Sequence, residues 1–376
     1  MGQGEQYVKG HAKASSAGST LGQATGLGSI RRAFATRGAS GDASGSGAPA
    51  RARAGVLVLA AAILAVALGA ALAQAGKGVT EVFGSTGSGD GQFRIAGGAA
   101  ASEATGSLYV VDVNNSRVQR FSADGAYQAQ FGSPGSAAGE LDFSSAAVGI
   151  AVDNSGGPVA GAVWVAEDTN NRIQRFDAAG NFVLAIGAQV NATTSGNICT
   201  AASGDTCQAG SPGSGDGEFS EPHGIAVDPT SGNVLVADTA NNRIQEFTAA
   251  GTYAGQFGAP GPAPGDVNTP SGVAVDSTGA SYVIDTDQST FSNRLQKFTP
   301  AGAFEAAVIP ADTSIKAVAV DPAGDHVYVA ASPPDFSGQR IVELEADLDP
   351  VETHGEGAGF NATGLALNLG AGRIYV

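Results

Sequence analysis

From residue 97 onward the chain alternates short apolar runs with clusters of Gly, Asn, Asp, Pro and Ser. The stretch Glu221–Gly258 carries the pattern best. Gly224–Asp228, Asn233–Asp238, Arg243–Phe247 and Thr252–Phe257 are rich in β-branched or aromatic residues, and Pro229–Gly232 and Ala249–Gly251 punctuate them. Runs of that length bounded by turn formers predict strands rather than helices. The pattern returns at Val148–Gly187, Ser271–Val308 and Lys316–Gly355, and in a worn form at Gly97–Gly132. A period of about 40–50 residues marks one structural unit per copy, stacked on its neighbours.

Four antiparallel strands per unit, repeated radially, predict an all-β fold, a β-propeller of four-stranded blades. A recurring arginine counts the blades: Arg117, Arg172, Arg243, Arg294 and Arg340 give five. A partial sixth begins at Thr363–Asn368 and stops in its second strand, Arg373–Val376. Val79–Gly84 (VTEVFG) reads as a fourth strand with no blade before it. The expectation is a six-bladed ring, incomplete at its C-terminus, in which this segment completes the last blade and leaves no open sheet edge.

The repeated residues resemble the NHL-repeat family, in its extracytoplasmic bacterial form. The resemblance rests on Gly224-Ile225-Ala226-Val227-Asp228, Val234–Asp238, Asn241–Phe247 and Phe257-Gly258. It rests too on a linker, GSGDGQF at Gly87–Phe93, that recurs at Gly213–Phe219, Gly135–Leu141 and Gly261–Val267. It covers roughly Val79 to Val376 and implies a propeller, while implying little about activity, because propellers host many.

Charge divides the chain. Residues 1–75 hold seven Lys/Arg against Glu5 and Asp42, leaving twelve of the 19 basic and 33 of the 35 acidic residues, or −21, for the remainder. RNA binding occurs among NHL propellers, yet a surface this acidic argues against any nucleic-acid partner, since such affinity comes mainly from Lys/Arg on phosphates. Residues 1–53 are a basic Gly/Ser/Ala-rich tail that cannot bury a core. Ala54–Ala73 has no charge over twenty residues, enough for a transmembrane helix. Residues 54–75 are therefore expected to be a signal-anchor or a signal-peptide apolar region, with cleavage after Ala73 or Ala75 as the alternative. Residues 76–376 form the propeller, placed outside the cytoplasm: at the cell membrane through 54–73, or secreted if cleaved.

Cys199 and Cys207 sit in an insertion, Gln189–Gly210, between the second and third repeats. In an oxidising compartment they are expected to form a disulfide. Two thiolates are too few for a structural zinc site.

The acids Asp112, Glu167, Asp238 and Asp285, which end second strands, and the five arginines recur too regularly to be a site. They are expected to be framework, the acid capping a tight turn and the arginine pairing within or between blades. Asn170-Asn171 and Asn241-Asn242 are turn residues that tolerate positive φ. Function is expected where copies differ. The residues opening the innermost strands are Gly97, Val148, His223, Ser271, Lys316 and Thr363, of which His223, Ser271, Lys316 and Thr363 are channel or ligand candidates.

A similar propeller enzyme, the peptidyl-amidoglycolate lyase, holds zinc with several channel histidines, and only His223 matches; His11, His326 and His354 lie elsewhere. Resemblance to lactonases such as gluconolactonase implies a divalent cation, for which Glu140, Glu218, Glu221 and Asp266 are the available rim acids. There are no RING cysteines, no heptads and no room for a kinase in the tail. The expected function is a non-catalytic extracytoplasmic binding or scaffold module for a protein, glycan or small ligand, with no cofactor and no catalytic or metal residues. The alternative is a metal-assisted lyase or lactonase near His223, using calcium or zinc.

Overall fold

The computed structural model describes Val66–Leu68 and residues 81–376 apart from 147, 291, 309–313, 333–339, 355–362 and 369–372. All lie in the larger of two compact units, Leu59–Val376. Among the described residues there is no α-helix, only short 3-10 turns between strands.

Five antiparallel meanders of four strands form the blades. They open on Ala96–Ala101, Ile150–Val152, Pro222–Val227, Gly272–Val275 and Ser314–Val320, and close on Tyr127–Phe131, Phe182–Ile186, Tyr253–Phe257, Phe304–Val308 and Pro350–His354. Burial follows position in the blade. The second strands Leu108–Asp112, Val163–Glu167 and Val234–Asp238 are buried at every residue, whereas Tyr127–Phe131 and Tyr253–Phe257 alternate between half-buried and exposed. Second strands are covered on both faces by adjoining blades, so they read as continuous apolar runs. The core is accordingly a set of layers between sheets: Val111 and Val118 of blade 1 pack with Val163 and Phe176 of blade 2, and Ala237 and Ile244 of blade 3 with Val283 and Phe298 of blade 4.

Aromatic rings join blade to blade at the outer radius. Phe131 meets Phe176 with ring centroids 4.6 Å apart, and Phe257 meets Phe298 at 5.0 Å. The turn facing each incoming ring needs glycine twice over: at Gly302 φ is +75° and a Cβ would stand 2.5 Å from Phe257 Cβ. At the inner radius successive first strands pack directly on one another. Gly149 N–H donates to the His223 carbonyl at 2.8 Å. A Cβ on Gly149 would fall 2.4 Å from that oxygen. The glycine of the G-[IV]-A-V-D motif is thus required by backbone-to-backbone approach around the ring.

A sixth, smaller sheet has the order Ala366–Asn368, Arg373–Tyr375, Val66–Leu68, Glu81–Val82. Ala366 and Tyr375 pack on blade 1, and Leu365 and Ile374 on blade 5. Phe83 stacks on Phe121 at 5.1 Å, the relation Phe131 has to Phe176. One expectation is corrected here. Within the 54–75 segment expected to be a membrane helix, the described residues Val66–Leu68 are extended and pair with Glu81–Val82 and Arg373–Tyr375. An apolar Val-Ala-Leu run satisfies an open sheet edge as readily as a helix, because the edge offers its backbone the hydrogen bonds it must otherwise make internally. No described helix is long and apolar enough to cross a membrane. The rest of 54–75, like the 1–53 tail and His11, lies outside the described residues.

The inner-ring constraint has a direct test. Gly149→Ala should lower stability by about 1–3 kcal/mol, the cost of overpacking a rigid site. Gly255→Ala, at a strand position where a Cβ meets nothing within 4 Å, should change it by no more than about 0.5 kcal/mol. Urea midpoints of the two variants check both.

Candidate functional site

The repeated polar residues come together inside each blade rather than at the channel. In blade 1 the Asp112 carboxylate accepts from Arg117 Nε at 2.9 Å, Asn115 Nδ2 at 2.7 Å and the Arg94 backbone N–H at 3.0 Å. Blade 2 repeats this with Glu167, Arg172, Asn170 and the Asp142 N–H, and blade 3 with Asp238, Arg243, Asn241 and the Ser220 N–H. A glutamine two residues beyond each arginine (Gln119, Gln174, Gln245) adds a further donor to the acid. The arginine and glutamine also donate to linker carbonyls. Arg243 Nη2 reaches Gly215 O and Glu218 O, and Gln245 Nε2 reaches Glu218 O.

The acid therefore does not cap the turn that follows it: the 3-10 turns after Asp112 and Asp238 receive no side-chain cap from them. It anchors the linker instead. Burial raises the Glu167 carboxyl above its ordinary range despite the opposing charge and hydrogen bonds of Arg172, and does the same to Asp238. The second residue of each pair, Asn171 or Asn242, takes positive φ (46° and 56°). Its side-chain oxygen accepts the N–H of Glu221 or Thr269 at the entrance to the next blade. Blade 4 has no asparagine pair, and Asn268 of its own linker donates to Gly261 O, the carbonyl equivalent to those served by Asn115, Asn170 and Asn241. In blade 5 Arg340 pairs across the strands with Ala331, where the other blades have the acid.

The rim acids do not assemble. Glu140, Glu218 and Asp266 each accept a backbone N–H of their own linker, from Ala137, Gly215 and Ala263. Glu221 is exposed on the approach to blade 3. Among the described residues no group of three or more His, Cys, Asp and Glu is placed to hold a metal ion. His326 lies 3.1 Å from Glu343 within blade 5, and His354 ends the outer strand of that blade.

The central channel is the cavity of interest, with a volume of about 370 Å³. Its wall is mostly Gly, Ala, Val, Ile and Leu of the inner strands. Val148, Ser271, Lys316 and Thr363 line it where those strands begin, and Glu103, Asn154 and Ser277 where they end. Lys316 and Glu103 are the charged residues of that wall. The inner strand of blade 5 carries a register shift between Ile315 and Ala317, which leaves Lys316 without a cross-strand partner. Bulges of this kind re-aim a side chain. Blade 3 has the same irregularity between Pro222 and Ile225.

His223 is not part of the channel wall. Its Nε2 stands 3.8 Å from Asp168 Oδ2, the oxygen that also accepts from Ser144 Oγ at 2.7 Å. Serine and histidine thus share one carboxylate oxygen. A nucleophilic relay requires serine on histidine and histidine on the acid, so this cluster is an inter-blade polar contact. Burial pushes the Asp168 carboxyl up, but hydrogen bonds from His223, Ser144 and the Thr169 N–H outweigh it and hold it below the usual aspartate range. Asp168 was not singled out from the sequence; the signal available was that blade 3 has Thr239 at the equivalent place.

The cysteine insertion is built into blade 2. Cys199 and Cys207 form a disulfide, and Ile198–Thr200 adds a fifth strand to the outer edge beside Phe182–Ile186. Asn191 clasps the loop by donating to Asp205 and accepting the Thr193 and Thr194 N–H groups. In blades 1 and 3 the framework arginine donates through Nη1 to an outer-strand glutamine, Gln130 or Gln256. Blade 2 has Ala185 there, packed with both cysteines, and Arg172 Nη1 donates to Gln208 O of the insertion at 2.9 Å.

Radial four-stranded sheets around a channel define a β-propeller. Residues 219–247 match the NHL repeat, and the chain that carries this match is a β-propeller of about five blades. No functionally curated protein matches its sequence. Among solved structures it is similar to a chain of the nidogen/laminin complex, with TM-score 0.50 and 15% identity over 76% of this chain and 89% of that one. A gluconolactonase from Xanthomonas campestris (TM-score 0.48, 15% identity, 74% and 84% covered) and a streptogramin B lyase (0.45, 16%, 74% and 92%) also match. At these identities the likeness is one of fold.

The Asp168 contact makes a pH prediction. A carboxyl lowered by folding contributes stability that is complete above its unfolded value, about pH 4, and is lost as pH falls through the lowered native value. His223→Ala or Ser144→Ala should move the Asp168 titration upward, read from its carboxyl carbon by NMR. An unmoved titration in both variants would show that neither neighbour holds the charge.

Proposed function

We propose that the chain is a non-catalytic extracytoplasmic binding or scaffold module for a protein, glycan or small ligand, built on a ring of six blades. The observation that carries this reading is the division of labour among side chains. The polar residues common to the repeats are taken up in framework hydrogen bonds, while the departures from the repeat form a disulfide-clasped extension on the outer edge of blade 2. Side-chain variation on a rigid scaffold is the usual basis of recognition by propeller loops. The ring of six is supported by Phe83 on Phe121 and by the contacts of Ala366–Asn368 with the inner strands of blades 1 and 5. The extracytoplasmic location is supported by the disulfide. Val66–Leu68 pair as a strand, so membrane attachment through 54–73 forms no part of the proposal.

The lyase or lactonase alternative draws no specific support: His223 is turned to Asp168, and the rim acids serve their own linkers. Metal analysis of the purified protein discriminates. The expected result is less than one equivalent of zinc or calcium, unchanged in His223→Ala; one equivalent lost in that variant overturns the reading. Compartment is tested separately by labelling thiols in intact cells before lysis and again after denaturation. Cys199 and Cys207 should stay unlabelled both times, and labelling of the denatured, unreduced protein would contradict an oxidising location.

A further inference from the structure

We propose that the channel, apart from any recognition at the blade 2 edge, is a binding site for a small organic monocarboxylate held by Lys316. The residues that open the inner strands divide the mouth into unlike halves. Ser271, Lys316 and Thr363 come from consecutive positions around the ring, and Gly97 and Val148 from the opposite side. Lys316 is exposed, lines the channel and has no ion-pair partner among the described residues. The chain as a whole carries a formal charge of −16. Glu103, the other charge on the wall, sits at the far end of the inner strands. Residues 97–101 of the blade 1 inner strand, about 13 Å of extended chain, separate its level from that of Lys316, beyond the screening length of about 8–10 Å. The ammonium is therefore left for a ligand.

The chemistry of the site limits that ligand. One cation neutralises one negative charge, which favours a carboxylate over a phosphate dianion. The Ser271 hydroxyl stands next in the ring as a second donor; the Thr363 hydroxyl is already committed to Ala96 O at 2.8 Å. Val148, Ile150, Val273 and Leu365 add apolar side chains to a wall that also carries Asn154, Ser277 and inner-strand backbone, and these side chains can take a short hydrocarbon body. A volume of about 370 Å³ is at the lower end of small-molecule pockets, about 300–1,000 Å³. The bulge at Lys316 supplies the local device, since it turns the residue out of the cross-strand register that buries Ile315 and Ala317.

Calorimetric titration of the full-length protein with hexanoate and with hexanamide, its uncharged counterpart, tests the assignment. Hexanoate should bind at least about ten-fold more tightly, a difference of about 1.4 kcal/mol. Lys316→Met, which keeps the apolar stem, should abolish the preference, and Lys316→Arg should retain it. Circular dichroism melting of both variants establishes that they fold, as expected for an exposed residue. Equal affinity for the two probes, a preference that survives in Lys316→Met, or no saturable hexanoate binding overturns the proposal. Tighter binding of methyl phosphate than of hexanoate overturns the choice of carboxylate.

Discussion

Taking the carboxylates of Asp112, Glu167, Asp238 and Asp285 out of water is the costly step around which the ring is organised, and the same kinds of donor offset it each time. Arginine Nε, the glutamine two residues on and a linker N–H converge on every one of them. A buried ion pair of this type adds little net stability over an apolar packing, but breaking it is expensive. Its value here is geometric. The guanidinium and carboxamide that satisfy the acid also hold the carbonyls of the incoming linker, so the path of the chain from one blade to the next is fixed by the charge it encloses. Blade 4 keeps this arrangement after losing the asparagine pair, because Asn268 takes over the linker carbonyl.

That constraint explains which parts of the fold were legible in the sequence. The four strands of blade 3 were read to within two residues, since Gly232 and Gly251 mark turns that only a small, conformationally free residue fits. Framework positions were legible because repetition exposes them: the acid and the arginine lie five residues apart in blades 1 to 3, and Asp285 and Arg294 keep the pairing at nine. What the acid does was not legible. A turn cap and a linker anchor place the same residue type at the same offset, and only three-dimensional proximity of Ser220 to Asp238 separates them. The apolar stretch at 54–73 was ambiguous for a different reason. Hydrophobicity without periodicity fits a membrane helix and a strand alike, and Val66–Leu68 pair as a strand.

The channel shows the same limit at finer scale. His223 and Lys316 occupy equivalent places in their repeats, and composition alone favoured the histidine as the chemical residue. In space they part company. His223 turns to Asp168, a residue peculiar to blade 2, while Lys316 has no such neighbour and lines the cavity. Equivalent backbone positions thus acquire different roles from single substitutions in the adjoining blade, which is how a repetitive scaffold becomes asymmetric without altering its strands.

Blade 2 makes the strongest case that such asymmetry is built in rather than appended. Insertion and framework exchange partners there: Ala185 stands where blades 1 and 3 have Gln130 and Gln256, and the N–H that those glutamines would accept goes to Gln208 O in the loop. Removing the loop alone would leave a donor of the fully buried Arg172 without that acceptor, a cost of about 1–3 kcal/mol. Restoring glutamine at 185 with the loop still present would force an amide into the space that the two half-cystines fill. The disulfide extension and the alanine are coupled through Arg172, whose Nη1 donates to Ser136 O as well as to Gln208 O. The arginine that anchors the blade thus also holds this surface element.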